Sequence, residues 1–200
     1  MGAQTIDADG MPPFVRRGSG VRVCGENLLA YDLAVLAVDV EAVVAAAGGW
    51  LCDRVRAGWR VTVHTPGPAD AGPLIILGVR TADGATAIDL LSRQRPAALA
   101  IDARLIAGDD PTRRVMLSAV DSARTEVTVW GETALVAGDR RFSKVSHRLS
   151  SAAAAFKDRA LASCGTPIPD RRTEEFHSAA LWYPPDGTDL APVHPAGAAG

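Results

Sequence analysis

The stretch that decides the fold runs from Leu33 to Val63 and reads LAVLAVDVEAVVAAAGGWLCDRVRAGWRVTV. Its first six residues form a continuous apolar run, which is the pattern of a strand buried on both faces of a parallel sheet. Asp39 can cap a helix whose apolar residues recur at helical spacing, and Gly58 can end that helix. The alternating Arg60–Val63 then predicts a second strand. Strand, helix and strand in this order form the building unit of an open α/β sheet.

Length and composition fit one ordinary domain with extensions, since the chain has 200 residues, 48% of them hydrophobic. A net charge of −2 creates no global field that would attract nucleic acid or an anionic membrane, so we expect neither as a partner. Three widely spaced cysteines favour reduced thiols over a disulfide framework. The sequence contains no secretory signal and no membrane-spanning run. We therefore expect a soluble, cytoplasmic protein.

Strands and helices continue to alternate after this unit. Further strands are predicted at Ala97–Ile101 and Glu126–Trp130, and a possible short one at Ala134–Ala137. Three further helices are predicted. The first covers Asp83–Arg95, and the second begins after the N-cap Asp110 with Pro111 in its first position. The third covers Ser143–Ser163 and ends at Gly165. Leu74–Val79 fits either a strand or a single helical turn, and the sequence leaves the two alternatives open.

These elements predict a three-layer α/β domain over residues 28–164, with an open, mainly parallel sheet of Rossmann-like topology. Residues 1–27 are predicted to form a mobile arm, in which Val21–Cys24 could add an edge strand. Residues 165–200 are rich in Pro and Gly, and we expect a largely disordered tail with an aromatic island at 174–185.

Polar residues follow the predicted strands, at the edge where α/β sheets bind ligands. They are Asp39, His64, Asp102 and Glu132, with Trp130 beside them. A histidine and three carboxylates could serve acid–base chemistry or bind a metal, but many α/β domains end their strands with polar capping residues. The spacing is not diagnostic, so we predict no catalytic residue, no metal site and no cofactor.

Several named chemistries lack their motifs in this sequence. It contains no G-x-S-x-G, no G-x-G-x-x-G after the first strand, no C-x-x-C and no H-E-x-x-H. His147 lies opposite the apolar stripe of the predicted last helix, which indicates a solvated residue. Cys52 lies next to the stripe of the first helix, which indicates a small core residue.

The turn Gly138–Lys144 is the one segment with a possible anion site. It partly resembles a phosphate-binding loop, but Ser143 replaces a needed glycine and Val145 replaces the hydroxyl residue that would hold Mg²⁺. Its residues Arg140, Arg141, Ser143 and Lys144 precede or open the predicted last helix. Free N–H groups at a helix N-terminus bind anions, which suggests an anion-binding site. The alternative is a basic turn that pairs with nearby carboxylates.

The aromatic residues of the tail island, Phe176, Trp182 and Tyr183, form a second candidate site. They could bind a protein partner as a short linear motif. Equally, the island could pack back over its own sheet and cover an edge.

Without a specific catalytic motif, the sequence favours a non-catalytic α/β regulatory or accessory protein that acts through protein–protein contacts, with a protein partner or as a homo-oligomer. The alternative is an enzyme or sensor that binds a phosphorylated small molecule at the 138–145 turn.

Overall fold

A mainly parallel sheet runs through the computed structural model, which describes residues 21–24, 28–67, 69–93, 95–108, 110–132, 134–179 and 189–193. Its strands are β1 (Val21–Cys24), β2 (Leu28–Leu36), β3 (Arg60–Thr65), β4 (Arg80–Asp83), β5 (Ala98–Asp102), β6 (Glu126–Trp130), β7 (Ser143–Arg148), β8 (Thr173–Ala179) and β9 (Ala191–Pro192). The helices are α1 (Val40–Arg56), α2 (Gly72–Ile76), α3 (Ala87–Arg93), α4 (Ala103–Gly108), α5 (Asp110–Ser122), α6 (Ala134–Ala137) and α7 (Ser151–Cys164). None of these helices is long and apolar enough to cross a membrane.

The strand order is β4-β3-β2-β5-β6-β8-β7-β9, with β1 paired to the first half of β2. The first five strands of this order are parallel, whereas β8 runs antiparallel to both β6 and β7. Chain winding changes direction between β2 and β5, which makes their carboxyl ends the topological switch point of the sheet. The arrangement confirms the predicted α/β class with Rossmann-like topology.

Helices cover both faces of the sheet and create two hydrophobic cores. One core lies under α1, α2 and α7, and includes Trp50, Leu51, Leu74 and Leu161. The other lies under α3, α4, α5 and α6, and includes Leu91, Ile106, Met116 and Val136. Because helices pack on both faces, the central strands are apolar on both faces, as the sequence of β2 predicts.

The strand–helix–strand unit forms as predicted. The Asp39 side chain caps α1 by accepting a hydrogen bond from the Ala42 N–H at 2.7 Å. Gly58 follows the end of α1 with a φ of +90°, a conformation that favours glycine. The open question at Leu74–Val79 is settled as helix α2, which has Pro73 in its first turn and leaves Gly78 at a φ of +75°.

Gly49 allows α1 to pack against the segment between β7 and α7. A Cβ at Gly49 would lie 2.4 Å from both Cγ and Cδ2 of Leu149, which is far inside van der Waals contact. A Cβ at the neighbouring Gly48 would lie 3.3 Å from Leu77 Cδ1, the nearest atom. The close approach of Leu149 therefore explains a helix-interior glycine at position 49, although glycine costs about 1 kcal/mol there relative to Ala.

A buried ion pair binds α7 and β8 to the middle of α1. Lys157 Nζ lies 2.6 Å from Glu174 Oε1 and donates to the Ala45 carbonyl at 2.7 Å. The Glu174 carboxylate accepts hydrogen bonds from the backbone N–H groups of Gly49 at 2.9 Å and Trp50 at 2.7 Å. These bonds satisfy two buried charges at once, which a bare buried pair cannot do.

The prediction of one helix over Ser143–Ser163 is wrong in its first part. Residues 143–148 form β7, and α7 begins only after Ser150, whose hydroxyl caps it by accepting from the Ala153 N–H at 3.1 Å. Val145, His147 and Leu149 are buried, with more exposed residues between them. Burial of every second residue is the pattern of a strand. Val145 and Leu149 are also four residues apart, which fits a helical stripe, so the sequence alone suggested a helix.

Three other predictions for this half of the chain are also wrong. His147 is buried, not solvated, because it lies on the inward face of β7. The expectation of a largely disordered segment after residue 164 is wrong at β8, which lies inside the sheet between β6 and β7. The possible short strand at Ala134–Ala137 is instead the helix α6.

Other predictions for the two ends of the chain have mixed outcomes. The suggested edge strand at Val21–Cys24 is present as β1. Trp182 and Tyr183 lie outside the described residues, as does most of the predicted N-terminal arm. The division into a mobile arm, a domain and a tail stays a prediction.

We predict that Gly49→Ala lowers the free energy of unfolding by about 1–3 kcal/mol, because the new methyl group overpacks against Leu149. The matched control is Gly48→Ala, whose methyl group would meet the end of the flexible Leu77 side chain at 3.3 Å, a tight contact that a small movement relieves. The variant also gains helix propensity, so its effect should be close to neutral. Urea unfolding of both variants measures the difference. Equal stabilities of the two variants would show that Leu149 does not restrict position 49.

Candidate functional site

The switch point of the sheet carries two carboxylates. Asp39 follows β2 as the N-cap of α1, and Asp102 is the last residue of β5. Leu36 of β2 pairs in register with Ile101 of β5, which brings the two strand ends side by side. Ligands of open α/β sheets bind in the crevice at this position.

Arg104 joins the two carboxylates. Its Nη2 lies 3.1 Å from Asp39 Oδ2 and 2.6 Å from Asp102 Oδ2, and its Nε donates to both Asp102 oxygens at 3.1 Å. The Arg104 backbone N–H also donates to Asp102 Oδ1 at 2.9 Å. This last bond forms because α4 begins directly after β5 and turns the chain back over the aspartate.

The cluster is fixed on one side and open on the other. The Asp102 side chain is only 2% exposed, whereas those of Arg104 and Asp39 are 51% and 46% exposed. The hydrogen bonds that Arg104 donates to Asp102 raise the pKa of Arg104 further above its ordinary value, so its charge is permanent. Among the described residues, none forms a hydrogen bond with Arg104 Nη1. The guanidinium thus keeps a donor for a bound molecule.

Trp130 adds a buried N–H group beside this cluster. It pairs in register with Asp102, and its indole Nε1 is buried without a hydrogen-bond partner. Gly131 follows with a φ of +92°, and a Cβ there would lie 3.8 Å from Asp102 Oδ1. Buried donors in proteins are almost always paired with protein or water. The indole N–H of Trp130 is therefore a donor that the described protein groups leave available.

His64, the penultimate residue of β3, lies on the opposite face of the sheet from Asp102. The neighbouring Val63 packs in the core under α1, as Ala100 of β5 does, so strand alternation turns His64 to the other side. Its Nδ1 is buried without a partner. Burial lowers the pKa of His64, although a hydrogen bond to the backbone of Asp83 opposes this effect.

Of the polar residues that the sequence places at strand ends, Asp39 and Asp102 come together in one cluster. Glu132 is exposed beyond β6 and forms no hydrogen bond or ion pair with the described residues of that cluster. Sequence reasoning missed Arg104, which links the two carboxylates. Its signal was its position two residues after the strand-end aspartate, where its backbone and side chain both reach that carboxylate.

The described residues contain no group of three His, Cys, Asp or Glu side chains that could hold a metal ion. At the switch point the two carboxylates are bridged by the Arg104 guanidinium, whose charge neutralises them. The donor set in the described part of the chain therefore does not fit a metal centre.

The basic turn before β7 lies away from any helix N-terminus of suitable length, so the structural premise of the predicted anion site is wrong. Arg141 donates to Asp139 at 2.6 Å and to Asp121 at 2.5 Å, and its bonds lower the pKa of Asp139 to about 2. Lys144 Nζ lies 3.0 Å from Glu175 Oε2. Ser143 opens β7 and Arg140 is exposed in the turn. Anion binding there stays a prediction.

Ser150, His147 and Asp53 lie together at the other end of α1, but not in the order of a catalytic triad. Asp53 accepts from Ser150 Oγ at 2.6 Å and lies 2.9 Å from His147 Nε2, so the carboxylate is central. Burial opposes ionisation, but the hydrogen bonds from Ser150 and His147 hold the pKa of Asp53 below its ordinary value. The serine caps α7, and this cluster stabilises the fold.

Phe176, predicted as a partner-binding residue, is 1% exposed on β8, and its ring lies 5.1 Å from that of Trp50. This part of the tail island packs back on the domain, which is one of the two alternatives that the sequence left open.

No family model matches the sequence, and the search of curated proteins gave no match. Solved structures do resemble the fold. The structure of a deacetylase–teicoplanin complex from teicoplanin biosynthesis has a TM-score of 0.53 and 12% identity, and the match covers 74% of this chain and 96% of that one. The A40926 pseudoaglycone deacetylase has a TM-score of 0.48 and 14% identity, with 74% and 95% covered. The zinc-inhibited form of teicoplanin deacetylase has a TM-score of 0.49 and 13% identity, with 66% and 82% covered.

Of these three structures, the deacetylase–teicoplanin complex has a TM-score above 0.5, and it shares the α/β fold of this chain. The finding contradicts the expectation of a non-catalytic regulatory or accessory protein. That expectation rested on missing motifs, and motifs miss a site that is assembled from separate strand ends.

We predict that His64 makes the protein less stable as the pH falls. The unfolded chain binds a proton at His64 near pH 6.5, whereas burial holds the folded-state pKa lower. The unfolded state therefore binds more protons between these two pKa values, and the free energy of unfolding falls as pH drops through that window. Urea unfolding at pH 7 and pH 5 should show a smaller loss for His64→Gln than for the wild type.

His177 serves as the comparison, because burial and the nearby Lys144 also lower its pKa. His177→Gln should reduce the acid-induced loss independently of the first substitution. If wild type and His64→Gln lose equal free energy between the two pH values, the pKa of His64 is the same in the folded and unfolded states, which contradicts the prediction.

Proposed function

We propose that this chain is an enzyme of the deacetylase type, which hydrolyses an acetyl group on a small molecule bound at the switch point. The observation that carries the proposal is Arg104, which is held between Asp39 and Asp102 while its Nη1 forms no hydrogen bond with the described residues. The likeness of the fold to the deacetylase–teicoplanin complex supports the reaction class. The half-exposed Asp39 and Arg104 make the cluster accessible to a substrate.

Arg104 would stabilise the negative charge that develops on the acyl oxygen. Its guanidinium is a fixed cation, and Asp102 holds it through two nitrogens and one backbone N–H. Preorganised donors of this kind act without reorganisation during the reaction, and removing one typically costs about 10²–10³ in kcat. The buried N–H of Trp130 lies on the next strand and could bind a second substrate oxygen.

Asp39 would orient and deprotonate the attacking water. The water oxygen forms a bond to the acyl carbon, its proton passes to Asp39, and the bond between that carbon and the leaving oxygen or nitrogen breaks. The proton then passes to the leaving group, so that acetate and a free alcohol or amine result. Asp102 touches Arg104 and is almost fully buried, which makes it a positioning residue.

In this proposal the positive charge of the reaction comes from Arg104. A metal ion does not fit the described residues, since no three of their His, Cys, Asp or Glu side chains form a possible metal site. No step of the proposed reaction therefore uses a metal.

We predict that Arg104→Met and Asp39→Asn each lower the rate of acetate release by about 10²-fold or more. Asparagine caps helices as well as aspartate does, so Asp39→Asn should keep the stability of α1 while it removes the base. The assay measures acetate released from a panel of O-acetyl and N-acetyl sugars and peptides. Arg172→Met, which changes an exposed arginine paired with Asp158 and outside every candidate site, is the control and should keep wild-type activity. The proposal is refuted if, for every substrate in the panel, the wild type releases acetate no faster than Arg104→Met does.

We also predict that activity survives removal of divalent metals, because the cation between the carboxylates is covalently part of the chain. Wild-type protein is dialysed against EDTA and assayed for acetate release without added metal. The rate should equal that of the untreated protein within about twofold. An activity that disappears with EDTA and returns with zinc would place the reaction at residues outside this cluster.

A further inference from the structure

A cavity lies between α3 and α5, against the amino end of β5, with a volume of about 350 Å³. Its floor is apolar and includes Ile88 and Leu91 of α3, Leu99 of β5 and Val115 of α5. The volume is within the range of about 300–1,000 Å³ that is typical of small-molecule sites. Nothing in the proposed reaction uses this cavity.

Two arginines, Arg95 and Arg114, line the same cavity. Both are exposed, and neither forms an ion pair with a carboxylate among the described residues. Several other arginines of the chain do have carboxylate partners, namely Arg54, Arg60, Arg104, Arg141 and Arg172. Two unpaired guanidiniums beside an apolar floor are complementary to a molecule with one anionic end and one hydrocarbon end.

We propose that this cavity binds an amphipathic carboxylate, such as a medium-chain fatty acid. The carboxylate pairs with Arg95 and Arg114, since guanidinium groups match carboxylate geometry and form strong charged hydrogen bonds. The hydrocarbon chain covers the apolar side chains of α3, α5 and β5 and removes them from water. A small hydrophilic anion would leave that apolar surface exposed, and a neutral lipid would leave both guanidiniums without a partner.

The cavity is separate from the switch point. Leu99 lies near the start of β5 and Asp102 at its end, which places them about 10 Å apart at the usual rise of a strand. Their side chains also lie on opposite faces, because Leu99 belongs to the core under α3 and α5. The fatty-acid site therefore does not depend on the proposed deacetylase activity, and its test requires no enzyme assay.

The experiment measures binding of decanoate and of decan-1-ol to the full chain by NMR, following the methyl signals of Ile88, Leu91 and Val115. Decanoate should bind and shift these signals, and Arg95→Gln/Arg114→Gln should weaken its binding by about tenfold or more. The matched control is Arg113→Gln, which removes a neighbouring exposed arginine of α5 and should change the affinity less than about twofold. Decan-1-ol should bind the wild type and the double variant equally, because it lacks the charge.

Three results would overturn the proposal. The first is no decanoate binding to the wild type up to about 1 mM. The second is equal decanoate affinity for the wild type and the double variant when both are folded by circular dichroism. The third is acetate binding as tightly as decanoate, since that would identify an anion site that makes no use of the apolar floor.

Discussion

The buried pair of Lys157 and Glu174 is the interaction on which the arrangement of the domain depends. Through it, a helix and a strand from the last third of the chain reach the backbone of α1, at Ala45, Gly49 and Trp50. Breaking a buried pair by removing one partner typically costs about 3–5 kcal/mol, because the other charge remains buried. The pair also joins three elements at one point, since Lys157 of α7 and Glu174 of β8 bond to each other and to the backbone of α1.

With its middle held, α1 presents a different polar cluster at each end. At its C-terminal end Arg54 lies over the rings of Trp50 and Trp59, and pairs with Glu126 and Asp189. Burial raises the pKa of Glu126 even though Arg54 opposes the shift. This end is enclosed and serves packing. At the N-terminal end Asp39 reaches the switch point, where its partner Arg104 remains half exposed.

Arg54 and Arg104 differ in exposure, and we assign the buried one to stability and the half-exposed one to function. Arg54 is 7% exposed in its side chain and is fully occupied by carboxylates and aromatic rings. Arg104 also pairs with two carboxylates, but its side chain is half exposed and its Nη1 forms no hydrogen bond with the described residues. Arg95 and Arg114 are a third case, since they are exposed beside an apolar cavity without carboxylate partners in the described part of the chain. A guanidinium is always charged, so its surroundings decide whether it stabilises the fold or binds a ligand.

The sequence by itself determined the strand–helix–strand unit around Leu33–Val63, because the cap at Asp39, the helical stripe and the stop at Gly58 are local signals. It also determined the α/β class and the residues at the strand ends. Only the tertiary structure decided that residues 143–148 form a strand, since their spacing fits both periods and the pairing partner β8 lies far along the chain. The same holds for the candidate site. Arg104 reaches Asp39 only because β2 and β5 are neighbours in the sheet, and strand order is a long-range property that no local pattern encodes.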